Sequence, residues 1–324
     1  MNSKKIISLA LTGVMALSSA FALAGCKDTK QDTSTTTAPA ATSSPATTSA
    51  EPSIPPVEII RPELNPKIKK DTEHKVGYQL EMPQNGDEIA IIHTSMGDIT
   101  LRFFPENAPK AVENFKALAK DGKYDGTIFH RVMNDFMIQG GDYENADGSG
   151  GTSSFGSAFE DEFCDTLYNI RGSDAMANSG ENTNGSQFFI NQAKAESFSV
   201  EGFDYDTTYT QLHEYYYQFI AQYGDEFRQS FPTVQSFIDD YCGGIYPLSY
   251  AITDEVMELY KATGGNIHLD GALRAKGGHT VFAQVIEGMD VVDAIAAVEV
   301  NADTHKPNED VTVTSVEITT YTAQ

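Results

Sequence analysis

Ile89-Ala90-Ile91-Ile92-His93-Thr94-Ser95-Met96-Gly97-Asp98-Ile99-Thr100-Leu101-Arg102-Phe103 reads as two strands around a turn. An apolar run leads into Ser95-Met96-Gly97-Asp98, which supplies turn residues, and the run that follows alternates apolar and polar with period two. The pattern predicts a hairpin with one face in a core and a folded domain that begins near Glu88. Just downstream, Asn107 and Pro109 open a helix on which Ala111, Val112, Phe115, Leu118 and Ala119 recur at helical spacing as far as Gly122. Short strands are predicted at 128–132, 136–139 and 188–191. The Gly-, Asn- and Ser-rich text at 140–156 and 172–185 reads mostly as loop. Near the end, Val291, Val292, Ile295 and Ala296 share one helical face, and 311–318 alternates again as a last strand. Many short strands, two helices far apart and long Gly-rich connections predict a mainly β domain, a closed antiparallel barrel or a sandwich.

Across the 324 residues, 46 Asp and Glu stand against 22 Lys and Arg, a formal charge of −24. Gripping nucleic-acid phosphates needs clustered cations, so no nucleic-acid partner is expected. An apolar fraction of 40% is enough for a sizeable core in one or two domains. The seven His lack metal-ligand spacing, no CxxC pair is present, and neither Gly-x-Ser-x-Gly nor a phosphate-binding glycine loop occurs. No metal site is therefore expected, and hydrolase and nucleotide chemistry are disfavoured. Cys164 and Cys242 read either as a disulfide or as two free thiols.

The first residues read as an export signal. Lys4 and Lys5 precede an apolar stretch over 6–24 that ends in Leu23-Ala24-Gly25-Cys26. Leu-Ala-Gly-Cys resembles the bacterial lipobox, which implies removal of residues 1–25 and acylation of Cys26. Two or three acyl chains, palmitate among them, hold a protein firmly at a membrane, whereas one binds reversibly. The expected location is the extracytoplasmic face of a bacterial cell membrane. An ordinary signal peptide and an uncleaved anchor are the alternatives. From Thr33 to Pro56 every residue except Glu51 and Ile54 is Ser, Thr, Ala or Pro, a composition that buries too little apolar surface to offset ordering. Residues 26–87 thus read as a tether followed by a loosely attached lead-in.

Four ordered blocks carry a resemblance. Phe129-His130-Arg131-Val132-Met133-Asn134-Asp135-Phe136-Met137-Ile138-Gln139-Gly140-Gly141-Asp142, then Met176-Ala177-Asn178, then Asn184-Gly185-Ser186-Gln187-Phe188-Phe189-Ile190, then Gly278-His279-Thr280-Val281-Phe282-Ala283 resemble the signature segments of the cyclophilin family of peptidyl-prolyl isomerases. The likeness implies a closed eight-stranded antiparallel barrel capped by two helices over 88–320. It also implies cis/trans interconversion of the bond preceding proline, without a cofactor. On it, Arg131 is the catalytic arginine that donates to the prolyl nitrogen. Gln139 bonds the substrate backbone and supports the arginine, and His279 is a neutral wall and donor at the rim. Phe136, Met137, Phe189 and Leu269 form the apolar recess for the prolyl ring. Asn178 supplies backbone contacts to the preceding residue, Ala177 leaves room for it, and Gln187 lies near the subsite wall. His268 stands where many relatives have an aromatic, and His130 is structural.

The chain departs from the family pattern between Asn191 and His268, where a dozen or so residues are usual. Residues 193–267 read as a helical insertion, with Tyr209, Tyr215, Tyr216, Tyr217 and Tyr223 in one stretch. Its aromatics serve either internal packing or the surface for an unknown protein partner. Two function classes follow: a tethered prolyl isomerase acting on proline-containing segments of exported proteins, or a non-catalytic peptide-binding or scaffold protein.

Overall fold

The hairpin forms where the alternation places it. β1 (Glu88–Thr94) and β2 (Gly97–Phe103) pair antiparallel, with Ile92 opposite Ile99 and Ala90 opposite Leu101, and all four side chains are buried. A computed structural model describes residues 54–199 and 204–323. The export signal, Cys26 and the tether up to Ser53 lie outside the described residues. The described residues fall into two units: the larger takes those of Arg61–Tyr205 and those from Ile245 on, the smaller those up to Ile60 and Asp206–Gly244.

In the larger unit, helix α1 (Pro109–Lys120) follows the hairpin, and β3 (Arg131–Met133) and β4 (Met137–Gly140) form a second, tighter one. β5 (Ser173–Met176) lies in text that reads as loop, because Ser-Asp-Ala-Met carries no β-branched residue to announce a strand. β6 (Phe188–Asn191), β7 (Val281–Glu287), the last helix (Met289–Ala296) and β8 (Val313–Thr320) complete the unit. The strands make one sheet in the order β3-β4-β6-β5-β7-β2-β1-β8, antiparallel throughout.

The sheet curls but does not close, which corrects the expected closed eight-stranded barrel. Its edge strands stay 13 Å apart, leaving an open half-barrel. The reason lies in β3, which is three residues long and whose outer edge is taken by a loop: Val132 N–H donates to the His305 carbonyl. Across the opening, the chain before β3 meets the start of β8 through an isolated bridge, Ile128 to Thr312. Inside the curl, Phe115 of α1 contacts the rings of Phe103, Tyr124, Phe188 and Phe282. Val292 and Ile295 of the last helix belong to the same core.

The lead-in is not loose. Asn65 N–H donates to the Arg274 carbonyl, Lys69 bridges Cys164, and Ile68 and Tyr78 are buried. Gln79, fully buried, accepts from Tyr168 N–H and donates to the Tyr168 carbonyl and to Gln284 Oε1. An amide that satisfies three buried partners cannot leave without orphaning them. No hydrophobic period announces this docking, since its apolar anchors, Ile68 and Tyr78, stand alone and the others are polar.

Between β6 and β7 run α2 (Tyr205–Tyr223), α3 (Asp225–Ser230), α4 (Val234–Ser236), continued by a π turn at Phe237–Tyr241, and α5 (Asp254–Thr263); the helix after β7 is α6. Within the smaller unit Tyr216, Phe219, Phe227, Phe231, Phe237 and Tyr241 pack ring against ring. Tyr216, Phe227 and Phe237 are buried and the other three half-buried, so these rings pack on one another, which favours packing of the two readings. Cys164 and Cys242 are free thiols, and burial raises the pKa of both, Cys242 to about 12.

One core position is chemically unusual. Asp174 shares its face of β5 with Met176 and is fully buried, and neither carboxylate oxygen has a partner. Burial holds its pKa well above the ordinary value. The folded state therefore favours the protonated acid, while the unfolded chain ionises it above about pH 4. Stability from the neutral carboxyl is present below that point and is lost as pH rises. Asp174→Asn, which cannot ionise, is expected to lose less stability than the wild type between pH 4 and pH 8 in urea titrations; equal slopes refute this.

Candidate active site

The β3–β4 hairpin puts Arg131 opposite Gln139, so their side chains leave one face of the sheet together. The turn between them holds Asp135 at φ 58°, a left-handed conformation that aspartate tolerates. Gln192 Oε1 accepts from Asp135 N–H at 2.7 Å and fixes this turn. Arg131 Nη1 donates to Gln139 Oε1 at 3.3 Å, Gln139 Nε2 to Gln187 Oε1 at 3.0 Å, and Gln187 Nε2 to the carbonyls of Gly148 and Gly150 at 2.9 and 2.7 Å. Those carbonyls are set by Asp142, which accepts the main-chain N–H groups of Glu144, Asn145, Asp147, Gly148 and Gly150. Burial pushes the Asp142 carboxyl up, but these donors outweigh it and bring the pKa to about 2.

The guanidinium stands 5.8 Å from the centroid of Phe136, and among the described residues no carboxylate pairs with it. Burial lowers its pKa from a starting value high enough to keep it charged. Beside it lies a second apolar cluster that contains Met137, Phe189, Tyr78, Phe104, Leu167, Ala175 and Val281. Met133, Phe136, Ala177 and Leu269 pack on it and remain partly exposed. All five apolar positions singled out in the sequence, Phe136, Met137, Ala177, Phe189 and Leu269, thus meet in one place. Tyr78, from the lead-in, joins them without any sequence signal, because nothing in its local text points to the sheet.

His279 closes the rim. Its ring meets Phe189 edge-on at 5.1 Å, its Nδ1 faces the Met176 carbonyl at 2.9 Å, and its main-chain N–H donates to the Leu269 carbonyl. Only an Nδ1–H tautomer satisfies that carbonyl, which leaves Nε2 as the other ring nitrogen. Gly278 precedes it at φ 113°, and a Cβ there would sit 2.4 Å from Gly271 Cα, so the close approach demands glycine. Asn178 Nδ2 donates to the Gly278 carbonyl at 2.8 Å. Among the described residues the main-chain N–H and carbonyl of Asn178 have no hydrogen-bond partner. His268 is exposed and stacks on Phe136 at 5.8 Å with 14° between planes, so it supplies a flat ring. One edge of the residue is open to solvent, but crowding around its ring desolvates it, and together with Arg274 and His279 this lowers its pKa to about 4. Gln187 sits behind Gln139 as a link to the loop carbonyls, and His130 is buried.

A model of the family described as cyclophilin type peptidyl-prolyl cis-trans isomerase/CLD matches residues 89–210 and 204–318. The chain is a cyclophilin. A Staphylococcus saprophyticus protein assigned as a peptidyl-prolyl cis-trans isomerase is 39% identical over 241 residues, 74% of this chain and 96% of that one. A Staphylococcus epidermidis protein with the same assignment is 38% identical over 257 residues, covering 79% of this chain and 97% of its own. A crystal structure of a Cryptosporidium parvum cyclophilin type isomerase aligns with a TM-score of 0.47 and 23% identity, over 72% of this chain and 99% of that one. This cyclophilin is a peptidyl-prolyl cis/trans isomerase that acts on proline-containing substrates, which replaces the scaffold alternative.

Burial lowers the His279 pKa below its ordinary value, the hydrogen bond to Met176 opposes that shift, and the Arg274 charge adds to it. The ring is therefore neutral in the folded cyclophilin at pH 7. Proton–carbon NMR of the His279 ring is expected to give a titration midpoint below pH 6.5, and a midpoint above 7 contradicts the neutral assignment.

Proposed function

We propose that this cyclophilin turns the Xaa-Pro bond by holding the prolyl ring against Phe136, Met137, Phe189 and Leu269 while Arg131 donates a hydrogen bond to the prolyl nitrogen. The bond has partial double-bond character and a rotation barrier of about 18–20 kcal/mol. Unaided, it takes tens to hundreds of seconds to interconvert. No covalent bond has to break. At the midpoint of rotation the nitrogen loses conjugation with the carbonyl and its lone pair becomes a hydrogen-bond acceptor. A donor aimed there stabilises the twisted state more than either planar one, which is the condition for acceleration.

The observation that carries this reading is a charged guanidinium held by a neutral amide over the edge of an apolar cluster. A carboxylate partner would compete for the same donors; Gln139 orients the fork and leaves the charge available. Asn178 offers its main-chain N–H and carbonyl to the residue before proline, Ala177 leaves space for that residue, and neutral His279 walls the rim. Gln187 keeps Gln139 in place. No step transfers a proton.

The same reading extends to where the enzyme works. The Leu23-Ala24-Gly25-Cys26 sequence and the Ser/Thr/Ala/Pro-rich stretch after it support a lipid-anchored form on the outer face of a bacterial membrane, serving exported proteins whose folding waits on prolyl rotation. Residues 193–267 are then an insertion into the family framework.

Arg131→Ala is expected to lower kcat/KM for a short Xaa-Pro peptide by about 10²–10³-fold, the usual size of a lost transition-state donor. Arg131→Lys is expected to recover little, because an ammonium cannot bond Gln139 and the nitrogen in one plane. A folded Arg131→Ala protein at the wild-type rate rules the mechanism out. Cys26→Ala is expected to abolish labelling by radioactive palmitate in bacteria and to release the protein from membranes; labelling that persists excludes Cys26 as the site.

A further inference from the structure

Tyr260 lies on α5, in the stretch between β6 and β7, and is fully buried. Its hydroxyl bonds Asp270 Oδ2, and Asp270 Oδ1 accepts both the main-chain N–H of Asn169, at 2.6 Å, and its Nδ2, at 2.9 Å. From Asn169 the bonds run on. Its Oδ1 accepts from Asn191 Nδ2 at 3.1 Å, and its main-chain carbonyl accepts from Asn266 N–H at 2.7 Å. Asn266 Nδ2 donates to Asn191 Oδ1 at 2.7 Å and to the main-chain carbonyl of Phe136 at 2.9 Å.

The run therefore begins at a helix and ends on two parts of the slot's lining. One is Phe136. The other is the Leu269–His279 wall, because Asp270 follows Leu269 and bridges His279 through its backbone. None of the five polar side chains is more than 5% exposed. In such surroundings a fully satisfied network is rigid, and an orphaned member is costly enough that its neighbours shift to find partners.

We propose that Tyr260 is a positioning residue of the active site: by anchoring Asp270, it holds the Leu269–His279 wall at the separation from Phe136 that a prolyl ring requires. Helix α5, outside the signature segments, then sets how tightly the slot fits. The inference rests on the reading of the slot given above. Asp270 supports it from a second side. Burial raises its carboxyl to about 7, opposed by the bonds from Tyr260 and Asn169 and by the charge of Arg274. The titratable and charged groups that act on Asp270 are Tyr260, Tyr168 and Arg274. Removing the Tyr260 hydroxyl takes away a bond that lowers the Asp270 pKa, so the pH at which Asp270 ionises rises.

The test compares wild type, Tyr260→Phe and Phe198→Leu in the full chain. Phe198 stacks on the Tyr260 ring at 5.4 Å, and its side chain has no hydrogen-bonding atom, so its variant changes the packing on Tyr260 and leaves the polar groups of the run in place. Tyr260→Phe is expected to raise KM for an Xaa-Pro peptide roughly 3- to 10-fold while kcat stays within about twofold, and to move the pH midpoint of KM upward. Phe198→Leu is expected to lower Tm with KM unchanged. Calorimetric Kd values for the same peptide measure the fit of the slot independently of turnover. An unaltered Kd and KM in Tyr260→Phe overturn the proposal, as do equal changes in both variants. A wild type that binds the peptide without turning it over refutes the Arg131 mechanism and leaves the binding comparison intact.

Discussion

Gln139 accepts a hydrogen bond from Arg131 without neutralising it, and a long series of contacts keeps that amide in place. The β3–β4 register sets the two side chains on one face. Gln187 fixes which way the Gln139 amide points, the carbonyls of Gly148 and Gly150 fix Gln187, and Asp142 folds the loop that carries those carbonyls. A positive charge beside an apolar surface is poorly solvated, and a free carboxylate nearby would capture it. In a chain this acidic, keeping the carboxylates of the described residues off Arg131 is a constraint in its own right.

The parts of this arrangement that depend on short segments are legible in the sequence. The period-two run at β1 and β2 and the helical spacing of Ala111, Val112, Phe115 and Leu118 describe faces that one stretch of chain can show by itself. The signature blocks lead to Arg131, Gln139, Phe136, Met137, Phe189, Leu269 and His279, and the structure places them around one cluster. β5 is hidden because its four residues owe their burial to neighbours on both sides rather than to their own composition. Closure of the sheet escapes a sequence reading for a related reason. Whether two edges meet depends on what the intervening loops do, and here His305 occupies the edge of β3.

Polar contacts between distant segments are the least legible. Asn169, Asn191 and the Asn266–Asp270 turn come from separate parts of the chain, and nothing in the text around each shows that their polar side chains meet. Only the fold reveals that they share one buried pocket of hydrogen bonds. The same holds for Gln79, whose burial no hydropathy pattern announces. Asp174 makes the opposite point: a charge-bearing residue amid core strands is visible in the sequence, but its lack of any partner is not.

The docked lead-in also bears on how the enzyme responds to force. A pull on the N-terminal chain reaches the larger unit at Arg61 and meets the Asn65–Arg274 bond, the Lys69–Cys164 bridge and the buried Gln79 before it meets β1. Traction is thus spread over a clasp spanning residues 65–79. The first strand is thereby spared from being peeled off the sheet one bond at a time.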